Sequence, residues 1–175
     1  SITGRISVGL AYNDKENTAE MIEALAAEFA KIKNHNMLLL YVDGNSPDGT
    51  GEEVRKLMKK WKNIHISQGP RNGLGAAYIR GMDYAVEKLN ADVMFEIDAD
   101  LQHDPHKIPQ FLKKIDEGYD MVIGNRYSDG GSVPHNWPLL RKIFSVVANL
   151  FIRVVFTKLS IHDWTGGYRA LKKEV

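Results

Sequence analysis

The sequence predicts an α/β domain with a mostly parallel central sheet flanked by helices. Three observations predict it. Short apolar runs of strand-forming residues recur at 6–10, 37–42, 64–67, 93–97 and 121–123. Between them, apolar residues fall at helical spacing, which is the βαβ pattern of a parallel sheet. Polar, turn-rich loops follow the strands, as at Asp43-Gly44-Asn45-Ser46-Pro47-Asp48-Gly49-Thr50. The 175 residues suit a single domain spanning 1–175, large enough to bury a core.

Taken in order, residues 6–10 form the first strand, followed by a polar loop through Tyr12, Asn13 and Asp14. Asn17 and Glu20 have the spacing of a capping box for a helix whose inner face carries Met21, Ile22, Leu25, Phe29 and Ile32. A second buried strand, 37–42, delivers Asp43; there Asp43 and Asp48 either build turns through their side chains or meet a ligand. Thr50 and Glu53 read as a second capping box, before a helix face of Val54, Leu57, Met58 and Trp61. The strand 64–67 and the Gly69-Pro70-Arg71-Asn72-Gly73-Leu74-Gly75 loop lead into a helix bearing Ala77, Met82, Ala85, Val86 and Leu89. Glycines at that start admit either an anion or close backbone packing.

The fourth strand, 93–97, ends in Asp98-Ala99-Asp100-Leu101-Gln102-His103, and Asp104-Pro105 then supplies an N-cap and first helical residue. Ile108, Phe111, Leu112 and Ile115 line that next helix. The fifth strand, 121–123, ends at Gly124-Asn125-Arg126-Tyr127, where Arg126 either offers a planar fork for phosphate or is a surface arginine in a flexible loop. From Trp137-Pro138 the pattern changes: Ile143, Phe144, Val147, Leu150, Phe151, Val154 and Val155 recur at helical spacing beside Arg141, Lys142, Arg153 and Lys158. Residues 137–160 fit an amphipathic helix at a membrane surface and a core helix equally.

Composition narrows the function. A hydrophobic content of 43% and charged content of 26% belong to an ordinary globular chain. A net charge of +1 gives no electrostatic basis for nucleic-acid binding. With no cysteine there is neither disulfide nor thiolate metal site, as suits a reducing compartment. No signal peptide, repeat or bilayer-spanning run is visible.

The chemistry gathers at Asp98-Ala99-Asp100. Two carboxylates one residue apart repel unless a cation lies between them, and hard divalent ions take such oxygen ligands while leaving positions for substrate phosphates. A solvated acidic turn is the plainer reading of that tripeptide alone. Right-handed crossovers, however, bring Asp43, Asp98, Asp100 and Arg126 to one sheet edge, where open α/β sheets bind ligands. Acids for a metal, an Asp at a nucleotide and an Arg for phosphate together describe a nucleotide-diphosphate site.

These residues resemble family 2 glycosyltransferases of the GT-A fold, a Rossmann-like architecture, and within them the polyprenyl-phosphate sugar synthases of the dolichyl-phosphate mannose synthase type. The carriers are the stretch from Val42-Asp43 to Thr50, Gly73-Leu74-Gly75-Ala76-Ala77, Asp98 to Pro105, Gly124-Asn125-Arg126-Tyr127 and the Asp163-Trp164-Thr165-Gly166-Gly167-Tyr168-Arg169 segment. The resemblance implies that Asp98, Asp100 and Gln102 hold Mg²⁺ or Mn²⁺. It implies that Ala11, Tyr12, Asp14, Asp43 and Ala99 line the nucleotide sugar, that Arg126 and Arg141 lie near phosphates, and that Asp163 lies at the reaction centre. The chain departs from the family pattern at Ala11 (usually Pro), Asp14 (Glu), Gly44 (a second Asp) and Gly166 (Ser).

The implied reaction is an inverting, metal-dependent transfer of a hexose, mannose or glucose, from a nucleotide-diphosphate sugar (GDP-mannose or UDP-glucose) to a polyprenyl or dolichyl phosphate. The implied setting is peripheral, on the cytoplasmic side of a membrane, with the 137–160 segment meeting the lipid. Two rival readings remain: a nucleotide-sugar-binding or membrane-docking module without activity, and a sugar nucleotidyltransferase.

Overall fold

The computed structural model describes residues 5–12, 18–98, 103–126, 138–156, 163–164 and 166–175. In chain order the elements are β1 (Arg5–Tyr12), α1 (Thr18–Phe29), β2 (His35–Asp43), α2 (Thr50–Lys60), β3 (Ile64–Gln68), α3 (Leu74–Leu89) and β4 (Val93–Asp98). A 3₁₀ turn (Pro105–Lys107) leads into α4 (Ile108–Asp116), followed by β5 (Met121–Ile123), α5 (Leu139–Val155) and β6 (Arg169–Lys172).

The strands form one sheet in the order β3-β2-β1-β4-β6-β5. β1 pairs in parallel with β2 and β4, and β2 with β3, so the predicted parallel sheet is present. Its order reverses between β1 and β4, where Tyr12 is in register with both Val42 and Asp98. Such a switch point opens a crevice beyond the carboxyl ends of the strands.

Both faces of the sheet are covered, which is why β2 and β4 read as nearly unbroken apolar runs. Side chains alternate across a strand. Leu39, Tyr41, Phe95 and Ile97 therefore join Met21, Ile22, Leu25, Phe29, Val54, Ile108, Phe111, Leu112 and Ile115 in one core beneath α1, α2 and α4. Leu40, Val42 and Met94 face the other way and pack with Ala85 and Ala91 near α3. Asp104 caps the 3₁₀ turn as expected, its side chain accepting the His106 N–H at 2.9 Å.

Four expectations need correction or placement. The capping box at Thr50 and Glu53 is not formed: Gly49 is the N-cap and Thr50 is already helical. The neighbouring carboxylate wins, because Asp48 Oδ1 accepts both the Thr50 N–H at 3.1 Å and its hydroxyl at 2.6 Å. Asn17, of the first capping box, lies outside the described residues. Val86, one of the apolar residues of α3, is exposed, and Ile32 lies beyond α1 although it still packs on the core.

The sixth strand was not anticipated. β6 runs antiparallel between β4 and β5, pairing with both. Glu96 and Arg169 are register partners and form a 2.6 Å ion pair across the strands. β5 therefore does not touch β4, yet it keeps the parallel sense, and its exit still reaches the same edge as Asp98.

The reading of α5 as a core helix is also overturned within this chain. Its apolar side chains face outward: Phe144 is 68% exposed and Phe151 67%, and Leu139, Leu140, Val146, Val147, Leu150, Val154 and Val155 are exposed too. At 100° per residue these cover about half of the helix circumference. No helix among the described residues is long and apolar enough to cross a membrane.

Candidate active site

The carboxyl ends of the strands place the candidate residues. Ala11 and Tyr12 close β1, Asp43 closes β2, Asp98 closes β4, and Arg126 stands three residues past β5. Arg141 falls in the first turn of α5. Asp14, Ala99, Asp100 and Gln102 lie outside the described residues. Among the described residues no cluster of three or more acidic, histidine or cysteine side chains is poised for a metal. The proposed ligands Asp98, Asp100 and Gln102 offer only oxygen donors, and that donor chemistry fits Mg²⁺ or Mn²⁺.

Asp43 is 1% exposed. Its Oδ1 accepts the Ser46 N–H at 3.0 Å, so the turn anticipated from the sequence forms. Its Oδ2 accepts Gln68 Nε2 at 2.8 Å, and the Gln68 carbonyl in turn accepts from Arg55. The Asp43 carbonyl accepts the Gly69 N–H at 3.1 Å and Arg80 at 3.1 Å. This web fixes the carboxylate at the edge. Gly51 makes it possible, since a Cβ there would lie 2.6 Å from Gln68 Nε2 and 3.0 Å from Asp43 Oδ2. At Gly44, a Cβ would lie 2.8 Å from Arg71 Cγ, so Arg71 takes up the space beside Asp43. Sequence spacing gave no sign of the Gln68 contact; it follows from the register of Asp43 with Gln68 across β2 and β3.

The geometry brings Arg126 and Asp163 together. Asp163 Oδ2 accepts the Arg126 backbone N–H at 3.0 Å and Nε–H at 2.7 Å, and Oδ1 accepts the second guanidinium N–H at 2.7 Å. The Asp163 side chain is fully buried and that of Arg126 is 23% exposed. The planar fork anticipated for a phosphate is thus engaged by a carboxylate in this structure. Such charge-assisted, bidentate bonds are the strong ones. A carboxylate held this way orients its partner and is poorly placed to remove a proton.

Tyr168, just before β6, ties the edge together. Its hydroxyl donates to the Asp104 carbonyl at 3.0 Å, and its ring stacks on His103 at 4.7 Å and meets Phe111 at 4.6 Å. Its own carbonyl accepts the Gly124 N–H at 2.8 Å, two residues before Arg126. Burial, reinforced by the Asp104 and Glu28 carboxylates, pushes the phenol far above its ordinary value, so it stays a neutral donor. One residue therefore pins the exits of both the acidic loop and β5. A cleft of about 480 Å³ between Lys31–Asn34 and α4 lies at the opposite end of the strands and includes none of these residues.

The architecture, a parallel sheet with an antiparallel β6 insertion and acids at the switch point, is the GT-A fold. The chain belongs to Glycosyl transferase family 2, whose sequence profile matches residues 10–175. It is 38% identical over 169 residues to the dolichol-phosphate mannosyltransferase of Pyrococcus furiosus, covering 94% of this chain and 45% of that protein. To the polyprenol monophosphomannose synthase of Mycolicibacterium smegmatis it is 36% identical over 166 residues, covering 94% and 60%. The chain thus spans about half the length of these curated relatives. Among solved structures it superposes on the mannosyltransferase PcManGT from Pyrobaculum calidifontis, in complex with GDP-Man and Mn²⁺, at a TM-score of 0.62 and 16% identity, covering 97% of this chain and 45% of that one. Glucosyl-3-phosphoglycerate synthase from Mycobacterium tuberculosis, in complex with Mn²⁺, UDP and glucosyl-3-phosphoglycerate, gives a TM-score of 0.67 at 19% identity, covering 98% and 58%. At these identities the superpositions establish the fold.

Proposed function

We propose that this chain is the donor-binding part of an inverting, divalent-metal-dependent hexosyltransferase that moves mannose from a nucleoside-diphosphate sugar to a polyprenyl phosphate. The observation that carries the reading is the convergence of Asp43, Asp98 and the Arg126–Asp163 pair on one strand edge, in a family 2 chain whose relatives above are named for mannosyl transfer. Those names favour mannose, and the two superposed structures hold GDP-Man in one case and UDP in the other, so the base is what the donor panel decides.

In this reading Ala11, Tyr12, Asp14 and Asp43 line the nucleotide, and Asp98, Ala99, Asp100, Gln102 and Arg141 flank the diphosphate. A divalent ion held by Asp98, Asp100 and Gln102 would neutralise charge on the diphosphate. An acceptor phosphate oxygen attacks the anomeric carbon from the face opposite the nucleotide. The bond to the diphosphate oxygen breaks, and its electron pair stays on the diphosphate. Arg126 donates hydrogen bonds to that growing charge. The second pKa of a phosphate monoester is about 6, so the acceptor is already anionic near neutrality and needs no base. That suits Asp163, which orients Arg126.

The exposed apolar half of α5 faces the lipid. The membrane setting is peripheral. The test is a donor panel: GDP-mannose, GDP-glucose and UDP-glucose with Mn²⁺ or Mg²⁺ and a short polyprenyl phosphate, following lipid-linked sugar. GDP-mannose should give product, and Asp100→Ala should abolish it with the fold intact by circular dichroism. Donor binding without turnover in every arm would replace this reading with that of a non-catalytic module, and pyrophosphate release from a nucleoside triphosphate would replace it with a nucleotidyltransferase.

A further inference from the structure

Asn149 sits on the inner side of a helix whose outer half is bare and apolar, and it is only 4% exposed. Burying an amide is unfavourable unless its groups are hydrogen-bonded. Its Nδ2 donates to the Ser145 carbonyl at 2.9 Å, one turn back, while Oδ1 accepts the Trp164 backbone N–H at 2.6 Å. A backbone N–H can only donate, so that contact fixes which amide atom faces Trp164. A second contact runs alongside: Phe156, one residue past α5, stacks on the Trp164 ring at 5.9 Å and 28°.

Trp164 follows directly on Asp163, whose carboxylate grips the backbone and guanidinium of Arg126. From the outer face of α5 to Arg126 the path is therefore short. It crosses one helix, one amide, one peptide bond and one ion pair. A shift of α5 that moved the Asn149 amide would strain the Trp164 N–H bond or carry Asp163 with it.

We propose that Asn149 is a positioning residue that couples the seating of α5 on a lipid surface to the placement of Asp163 and Arg126. The inference rests on the lipid-facing reading of α5 given above. Seating buries apolar side chains that are exposed in this chain, and a lipid surface shifts the helix only by the difference in free energy between its two settings. Asn149 passes that difference to the site where the acceptor phosphate, carried by the same surface, must arrive.

The test reads amide hydrogen exchange at Trp164 and Arg126 in the whole chain, with and without phosphatidylcholine–phosphatidylglycerol vesicles, beside vesicle flotation and sugar transfer. In the wild type, vesicles should raise protection at both amides about fivefold, the worth of roughly one net hydrogen bond. Asn149→Ala should float equally well yet lose the response at Arg126. Asn149→Gln keeps both an acceptor for the Trp164 N–H and a donor for the Ser145 carbonyl and should retain it; this variant carries the test if the alanine variant does not fold. An unchanged response in Asn149→Ala, a lost one in a folded Asn149→Gln, or floating wild type with no change at Arg126 would overturn the coupling. A wild type that does not float would overturn it too, while transfer to a short soluble polyprenyl phosphate would leave the catalytic reading standing. Intact exchange responses with no transfer to any acceptor would remove the catalytic reading and leave the coupling.

Discussion

Replacing Asp163 by Asn exchanges a buried carboxylate for an amide of the same shape. The carboxylate accepts three hydrogen bonds from Arg126, at 3.0, 2.7 and 2.7 Å. Removing one member of a buried pair costs about 3–5 kcal/mol. Arg126 is 23% exposed, so water recovers part of its solvation, and the amide oxygen keeps one acceptor. The expected loss for Asp163→Asn is therefore about 2–3 kcal/mol. Arg126→Gln should cost more, about 4–5 kcal/mol, because it strands a carboxylate that is fully buried. The double variant leaves two neutral amides, so it should cost less than the sum, with a coupling of about 2–3 kcal/mol. Urea denaturation of the four proteins measures this directly, provided the slope with denaturant is unchanged. Additivity to within about 0.5 kcal/mol would show that the pair does not form in solution, and the account of Asp163 as an orienting group would go with it.

Tyr168→Phe keeps the ring contacts with His103 and Phe111 but loses the bond to the Asp104 carbonyl. It should cost about 1 kcal/mol and weaken Mn²⁺ binding several-fold by calorimetry, with little change in the circular dichroism spectrum; unchanged metal affinity would free the acidic loop from this anchor. Glu28 predicts an acid limb. The Lys31 ammonium, 2.8 Å away, and then the His106 ring hold its carboxyl below the ordinary 4.5. A depressed folded value means that its stabilisation is present above 4.5 and is lost as pH falls through the lower folded value. Glu28→Gln should thus flatten the fall in denaturation midpoint below pH 4.5, and an unchanged slope would place the acid limb elsewhere.

The strands of the parallel part were legible because both faces of the sheet are buried. Residues such as Leu39, Leu40, Tyr41 and Val42 serve alternate faces, so the run is apolar without a break. The edge residues were legible for a related reason: Asp43 and Asp98 follow directly on such a run, and Arg126 stands three residues past one. What local pattern does not carry is long-range pairing. β6 is four residues long and takes its definition from partners at 93–96 and 121–123. The Arg126–Asp163 pair spans 37 residues of sequence, and neither side chain announces the other. Periodicity identified α5 as amphipathic but is silent on which face turns outward, because a core stripe and an exposed stripe repeat alike. The Thr50 capping box failed for a local reason, the nearer carboxylate of Asp48 having already taken its donors.

The insertion of β6 gives the Arg126–Asp163 pair its chemical sense. With β6 between β4 and β5, Arg126 leaves β5 beside the segment that enters β6, and Gly124 is bonded to Tyr168. Arg126 therefore meets a carboxylate before it meets any ligand. A guanidinium carries five N–H groups, and the two side-chain bonds to Asp163 engage one edge of the fork. A donor diphosphate that drew Arg126 away would strand the fully buried Asp163 carboxylate, at a cost of about 3–5 kcal/mol. In the proposed reaction the less costly arrangement would keep the pair and meet the diphosphate with the far edge of the same fork. The carboxylate would then not compete with substrate for Arg126. By fixing the plane of the guanidinium beforehand, it would leave little ordering to be done when charge develops on the leaving group.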